Sequence, residues 1–376
     1  MLPRLLPVAL AVGVVVCAAL SGCADDPSAP GGDAAASDSV AFADRLPFHP
    51  QTYRIQRAPS PPTVDGRLTE ATWARAAWTA PFVNSDGRDR PGPPYRTRAK
   101  MMWDDRFLYL AAKLEEPDVR ASFTTRDTTV WRENAFEVFI DPTGDTHHYY
   151  EFQINARETQ WDLMLTRPYR DGGVPISAWD LRGLKKGVAV QGTLNDPSDT
   201  DEGWTVELAL PWSVLAEAAP DAEPPSGGDR WRINLTRMQW PASVVDGAYV
   251  RDTTGNDAAA WSPQGQGSFH MPERWGVVEF SDAAVGAAAD SVRVTRTDRL
   301  KWALRRLYYR QRAHRTAHGA YAASLDALGA GEVPAPDGFA PTLSATQSLY
   351  EITTPGPDGT VLHIRQDGRV WTTTGE

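Results

Sequence analysis

Cysteine is nearly missing from this chain. It has two among 376 residues, Cys17 and Cys23, both near the start. Past position 23 there is no thiol nucleophile, no disulfide and no cysteine ligand for a metal. A basic surface is missing as well. Lys and Arg number 38 against 48 Asp and Glu, a formal net charge of -10. Phosphate backbones need a basic surface, so nucleic acid is excluded as a partner. There is no Gly-rich phosphate loop, no internal repeat and no G-x-S-x-G; "GQGSFH" at 265–270 has the wrong context for a nucleophile elbow. His147 and His148 are adjacent. On a strand they would face opposite sides, which is poor metal-ligand spacing, so they are expected in a loop.

The one long apolar run, residues 5–20, follows Arg4 and ends in small residues. It reads as a secretory signal, marginal in length for a membrane span and wrongly flanked for one. "LSGC" at 20–23 resembles a bacterial lipobox. That resemblance implies removal of residues 1–22 with Cys17, and a lipid on Cys23. Residues 23–50, rich in Ala, Ser, Gly, Pro and Asp, cannot bury enough surface to fold and read as a flexible tether. The expected location is the cell envelope, with the chain anchored to the membrane through its N-terminal lipid at the outer membrane, the cell surface or the periplasmic face.

What the chain does have is tryptophan, 14 in all. In an acidic, secreted chain this suggests stacking on something uncharged. From about residue 53 to 280 the hydrophobic pattern has mainly a period of two. "RTRAKMMWD" and "RFLYLAAKL" predict a hairpin around Asp104 and Asp105, followed by "NAFEVFID", "YYEFQINA", "GWTVELALPW", "RWRINLTRMQW" and "RWGVVEFS". Helical segments are short, "LTEATWARA" and "PWSVLAEAA". The fold class is mainly β: an antiparallel β-sandwich, immunoglobulin or jelly-roll-like, over residues 51–283. Trp73, Trp103, Trp204 and Trp231 lie inside apolar patterns and are expected in its core.

The stretch "TVWRENAFEVFIDPTGDTHHYYEFQINA", 129–156, carries the sharpest signal. Alternation sends Phe136, Val138, Ile140, Tyr150, Phe152 and Ile154 to the core and Glu137, Glu151, Gln153 and Asn155 to the opposite face. Trp131 stands at the rim. A flat ring beside carboxylate and amide groups suits a sugar, whose C–H faces stack while its hydroxyls bond. Periodicity alone equally allows a solvated outer face with Trp131 tucked under a loop.

Five blocks occur in one order: "PTVDGRLTEATWARAAW", "AKMMWDDRFLYLAAKLEEPDV", "VWRENAFEVFIDPTGDTHHYYEFQINA", "GWTVELALPWSVL" and "MPERWGVVEFS". Over roughly residues 55–281 this order resembles the family 9 carbohydrate-binding modules, and especially the larger family-9-like bacterial lipoproteins. The resemblance implies a β-sandwich that binds sugars without catalysis, clamps the reducing end of a glycan between two Trp rings and often holds structural calcium. Trp131 falls on the first clamp Trp and Glu137 on a sugar-binding Glu. Gln153 stands where the family has a binding Arg, Asn155 keeps the next polar position, and Asn234 falls on a family Gln. Trp261 matches, Gln266 falls on a binding Asn and Phe269 on the second clamp Trp. Losing the Arg removes a bidentate donor, so reducing-end specificity does not carry over.

Rival chemistries draw on the same acidic surface. A glycoside hydrolase needs two carboxylates across a cleft, and Glu133, Glu137, Asp104, Asp105, Glu115 and Glu116 supply candidates. Asp141 and Asp145 with nearby carbonyls could hold calcium, or simply close an Asp-Gly turn. Residues 284–297 read as a linker, and 298–376 as a small α+β appendage. There Thr297-Asp298 opens a helix whose apolar face is Leu300, Ala303, Leu304, Leu307 and Tyr308 and whose other face is rich in Arg. Three short strands follow. The whole resembles the soluble head of pilin-like proteins, which implies no activity, and its basic face is expected to dock onto the acidic sandwich or stay solvated, with binding of an acidic glycan there as the sharper alternative. The expected partners are poly- or oligosaccharide, glycoside hydrolases and outer-membrane glycan-uptake proteins. The alternatives are a glycosidase on the same sandwich and a structural envelope or assembly protein.

Overall fold

The computed structural model describes residues 48–87, 90–219 and 224–374. The proposed signal, Cys23 and all but the end of the tether lie outside the described residues. Among the described residues no helix is long and apolar enough to cross a membrane.

The sandwich strands are β1 (Thr52–Arg57), β2 (Val83–Asn84), β3 (Thr97–Trp103), β4 (Phe107–Glu115), β5 (Ala135–Asp141), β6 (Tyr149–Ile154), β7 (Gln160–Leu165), β8 (Pro175–Ile176), β9 (Lys185–Gln191), β10 (Gly203–Pro211), β11 (Arg230–Gln239), β12 (Ala242–Val245), β13 (Ala248–Arg251), β14 (Asp257–Ala260) and β15 (Gly276–Ala284). Their order is β8-β7-β6-β5-β11-β15-β1-β3-β4-β10-β9, with β14 on β11 and β2 on β14, while β12 and β13 pair only with each other as a separate two-stranded sheet. The two layers meet at β1, which pairs along its length with β15 and only at Gln56 and Arg57 with β3. Both ladders of β1 are parallel, so a largely antiparallel sandwich carries one mixed seam. The inner faces meet as the alternation requires. Phe136, Val138, Ile140, Tyr150, Phe152 and Ile154 from one layer pack with Leu108, Leu110, Trp204, Val206 and Leu208 from the other. The hairpin around Asp104 and Asp105 forms, and Trp73, Trp103, Trp204 and Trp231 are all buried.

The helical segments shorten to Ala71–Arg75 and Trp212–Leu215. Trp73 holds its place because the buried Glu207 carboxylate accepts its indole N–H, together with the Asp65 and Gly66 amides. Gly66 is obligatory here: its φ is +82°, and a Cβ would meet the β9 backbone at 2.6 Å.

The appendage is one helix, Arg296–His318, against a sheet of four strands: β16 (Thr342–Ala345), β17 (Tyr350–Pro355), β18 (Thr360–Arg365) and β19 (Val370–Thr374). The expected meander of three has a further edge strand. The helix begins at Thr295, not Thr297. Asp298 stands three residues on and returns the bond, its carboxylate accepting the Thr295 N–H at 2.8 Å while its own N–H donates to the Thr295 hydroxyl at 3.1 Å. Leu300, Ala303, Leu304, Leu307 and Tyr308 form the predicted apolar face and pack on Ile352, Leu362 and Ile364.

The other face of the helix docks onto the sandwich. Asp298 pairs with Arg232 at 2.9 Å and Arg230 at 3.1 Å, and Arg312 with Asp171 at 3.0 Å. Tyr309 donates to Glu273, which also holds Arg170 at 2.9 Å. Phe48 stacks on Trp302 at 5.2 Å, so the end of the expected tether is packed. Burial pushes Glu273 up, but Arg170 and Arg305 outweigh it and hold the carboxyl at about 2. A carboxyl lowered in the folded state contributes stability above its ordinary value of 4.5 that is lost as pH falls toward about 2. Glu273→Gln leaves Arg170 short of its counter-charge and should cost about 3 kcal/mol at neutral pH. Thermal melts should show that gap closing as the pH drops through this window; a constant gap would refute the ion-pair account.

Candidate glycan-binding site

The outer face of the first layer carries a polar row across four strands. Thr236 on β11 lies opposite Glu137 on β5, Glu137 opposite Gln153 on β6, and Gln153 opposite Trp161 on β7. The Thr236 hydroxyl donates to Glu137 at 2.5 Å. Gln153 is used at both ends: its Nε2 donates to Glu151 at 2.7 Å and its Oε1 accepts the Trp131 backbone N–H at 2.8 Å. Glu137, Glu151 and Gln153 are all buried, so this face is not a solvated surface.

Aromatic rings cover it. Trp131, Trp161 and Phe269, each partly exposed, pack against Val130, Ala135, Met238 and Trp240 in one cluster. Trp131 and Phe269, 138 positions apart by their numbers, are thereby brought together. Trp131 is presented by the short turn Val130–Arg132, and its carbonyl accepts the Trp240 indole N–H at 2.8 Å. The Phe269 carbonyl accepts the Trp275 indole N–H at 2.8 Å, and Phe139 lies 6.0 Å from its ring. Tyr149 and His270, bonded at 3.0 Å, close the Glu151 side.

Burial, and secondarily the nearby Glu151, push the Glu137 carboxyl up to about 8; burial pushes Glu151 up to about 7. A proton retained on Glu137 makes it a hydrogen-bond donor near neutrality. Because its folded value lies above the ordinary 4.5, its contribution to stability is complete below 4.5 and lost as pH rises through about 8. The melting temperature should therefore fall between about pH 5 and pH 9. Glu137→Gln, neutral throughout, should flatten part of that fall. An unchanged slope in the variant would show that Glu137 is already ionised.

Of the eight residues singled out in the sequence, Trp131, Glu137, Gln153 and Phe269 come together. Gln266 is half-buried nearby in the 261–270 loop, its amide against the Met271 sulfur. Three are placed elsewhere. Trp261 is a core residue, buried edge-on to Tyr53 and so close over Gly276 that a Cβ there would meet its ring at 2.4 Å. Asn234 exchanges two hydrogen bonds with the Ser262 backbone. Asn155 closes the 155–159 turn and donates to Glu133.

The calcium expectation does not fit the donors present. Asp141 accepts from Gly144, Thr146 and the Thr143 hydroxyl, and Asp145 accepts from His147 and Arg369. Arg369 and the nearby Lys301 already supply positive charge. Among the described residues no group of three or more His, Cys, Asp or Glu side chains could hold a metal ion. Five of the six glycosidase candidates have partners within the protein, Glu137 through Thr236, and Glu115 is exposed. Glu133 accepts from Ser122, Phe123 and Asn155; Asp104 closes its hairpin; Asp105 pairs with Arg57; Glu116 meets Arg237, Trp204 and Asn134. Trp161 escaped the sequence reading because only the β6–β7 register puts it beside Gln153.

The family model described as carbohydrate family 9 binding domain-like matches residues 64–283. The chain belongs to that family. The match ends one residue before the end of β15, so the long helix and the four-stranded sheet lie outside the family 9-like domain. The chain is 27% identical over 157 residues to Exoglucanase XynX of Acetivibrio thermocellus, which is 41% of this chain and 12% of that enzyme. It is 27% identical over 116 residues to Endo-1,4-beta-xylanase A of Thermoanaerobacterium saccharolyticum, 31% of this chain and 8% of that enzyme. The chain thus spans a small part of either relative. A family 9 carbohydrate-binding module from Caldicellulosiruptor kristjanssonii in complex with cellotriose is similar over 64% of this chain and all of its own, at 14% identity and a TM-score of 0.41.

Proposed function

We propose that this chain is a non-catalytic glycan-binding protein of the cell envelope, held by a lipid on Cys23, that supports the breakdown of poly- or oligosaccharide by glycoside hydrolases or its uptake. The observation that carries the reading is the set of partly exposed rings, Trp131, Trp161 and Phe269, above the buried Glu137–Gln153–Glu151 row. Such rings take the apolar face of a sugar, and the buried polar row beneath them holds the sheet face and Trp131 in place. Gln153 acts here as a positioning residue, since it fixes the Trp131 backbone instead of presenting a free donor. Catalysis is disfavoured because an acid and an ionised partner must face one cleft, whereas five of the six candidate carboxylates here are bonded internally.

Trp131→Ala should weaken oligosaccharide binding by about 1–3 kcal/mol with little change in melting temperature, whereas Trp261→Ala should cost about 3–5 kcal/mol of stability. Phe269→Ala should weaken binding too, and Phe269→Trp should strengthen it by restoring area. A glycan array selects the sugar, and titration calorimetry with parallel melts reads both effects. Unfolding of Trp131→Ala would make Trp131 a core residue and remove the clamp; reducing-sugar release that disappears in Glu137→Gln would establish the glycosidase instead. For the anchor, Cys23→Ser should leave the membrane fraction, and retention there equal to the parent would refute lipidation.

A further inference from the structure

The chain is acidic overall, yet the cleft between the 167–171 loop of the sandwich and the long helix is basic. Arg167, Arg170, Arg312 and Arg315 line it against two carboxylates, Asp171 and Asp367. The internal pairings do not consume all four guanidinium groups. Arg170 is held by Glu273 at 2.9 Å and lies 3.4 Å from Asp171, and Arg312 holds Asp171 at 3.0 Å. Asp367 is taken by Arg365 at 2.8 Å, with Arg167 only at 3.9 Å. Arg315 donates to the Tyr321 hydroxyl at 2.8 Å and covers that ring at 4.8 Å; among the described residues it has no carboxylate within ion-pair distance. Arg167 comes from the sandwich and Arg315 from the helix, so the surplus positive charge faces the cleft from both walls.

The cleft has a volume of about 330 Å³, within the usual range for a small-molecule site. It also adjoins the aromatic clamp. The Arg170 guanidinium donates to the His270 carbonyl at 3.0 Å, and the exposed Tyr169 ring meets the His270 ring at 4.6 Å, one residue from Phe269. A ligand seated on Phe269 that crosses Tyr169 therefore arrives at the arginines.

We propose that this cleft takes the carboxylate of a uronic-acid residue in an acidic oligosaccharide whose neutral part occupies the clamp. The proposal rests on the glycan-binding reading and names its substrate class. Arginine suits a planar carboxylate because its fork offers two parallel N–H donors, and partial burial weakens screening by solvent. A long polyanion does not fit the same observations, because it would extend beyond the four arginines over a chain whose net charge is -10.

Titration calorimetry on the full chain compares neutral xylotriose with glucuronic-acid-substituted xylotriose. The acidic sugar should bind about tenfold more tightly at low salt, an advantage that shrinks as salt is raised. Arg167→Gln and Arg315→Gln, each checked by a thermal melt, should remove the advantage and leave neutral-sugar binding unchanged; Trp131→Ala should weaken both sugars. Equal affinities, or an advantage that survives both arginine variants, overturn this proposal while leaving the clamp intact. Binding of neither sugar overturns the proposal together with the reading beneath it. Inorganic sulfate that binds the cleft at the same affinity as the acidic sugar identifies a free-anion site and overturns the saccharide assignment.

Discussion

Glu137 and Glu151 are carboxyl groups on adjacent strands, buried beneath aromatic rings, and most of the site's construction follows from having to keep them there. An uncompensated buried charge is costly, and two close together are worse. The protein meets that cost with hydrogen bonds from Thr236 and Gln153 and with values raised toward neutrality. Gln153 then couples chemistry to shape. The amide that donates to Glu151 also accepts the Trp131 N–H, so this ring is hung from the polar row it covers. A guanidinium at position 153 could donate to Glu151 but could not accept from Trp131.

In the segment that adjoins this site, burial has the opposite result. Glu273 is buried like Glu137, if less completely, yet it is held at about 2 while Glu137 rises to about 8. The difference is the neighbour. Arg170 and Arg305 face Glu273, whereas the charged neighbour of Glu137 is Glu151. Arg170 and Arg305 lower the Glu273 carboxyl, whereas burial raises those of Glu137 and Glu151. The fold thus separates a carboxyl held among cations from two whose neighbours are polar and uncharged or acidic.

How far the sequence revealed this depended on which residues are governed by alternation. Period two separated the core side chains of β5 and β6 from the polar ones and put Glu137 and Gln153 on one face. The helix face from Leu300 to Tyr308 was equally legible. Positions fixed by register or by backbone partners were not. Trp161 joins the site only through the β6–β7 pairing. Asn234 and Asn155 look like polar site residues in a strand pattern, but each satisfies local backbone groups that no periodicity reveals. Trp261 has the composition of a binding residue and the packing of a core one, because Gly276 opens the space beneath its ring. The capping box likewise needed the bond from Thr295, two residues upstream of the expected start.

The segment beyond the family domain changes what that domain can present. The helix reaches over the 141–148 turn, with Arg305 donating to Thr146 and Lys301 to the Gly144 carbonyl. It thereby covers one end of the outer sheet face, while the rings of Trp131 and Phe269 remain partly exposed at the other. It also brings Arg312 and Arg315 to the 167–171 loop, where the sandwich alone offers Arg167 and Arg170. Tyr169 lies at the junction, one ring contact from His270 and one residue from Arg170. An appendage outside the family domain therefore completes a cluster of arginines that the 167–171 loop joins to the aromatic surface.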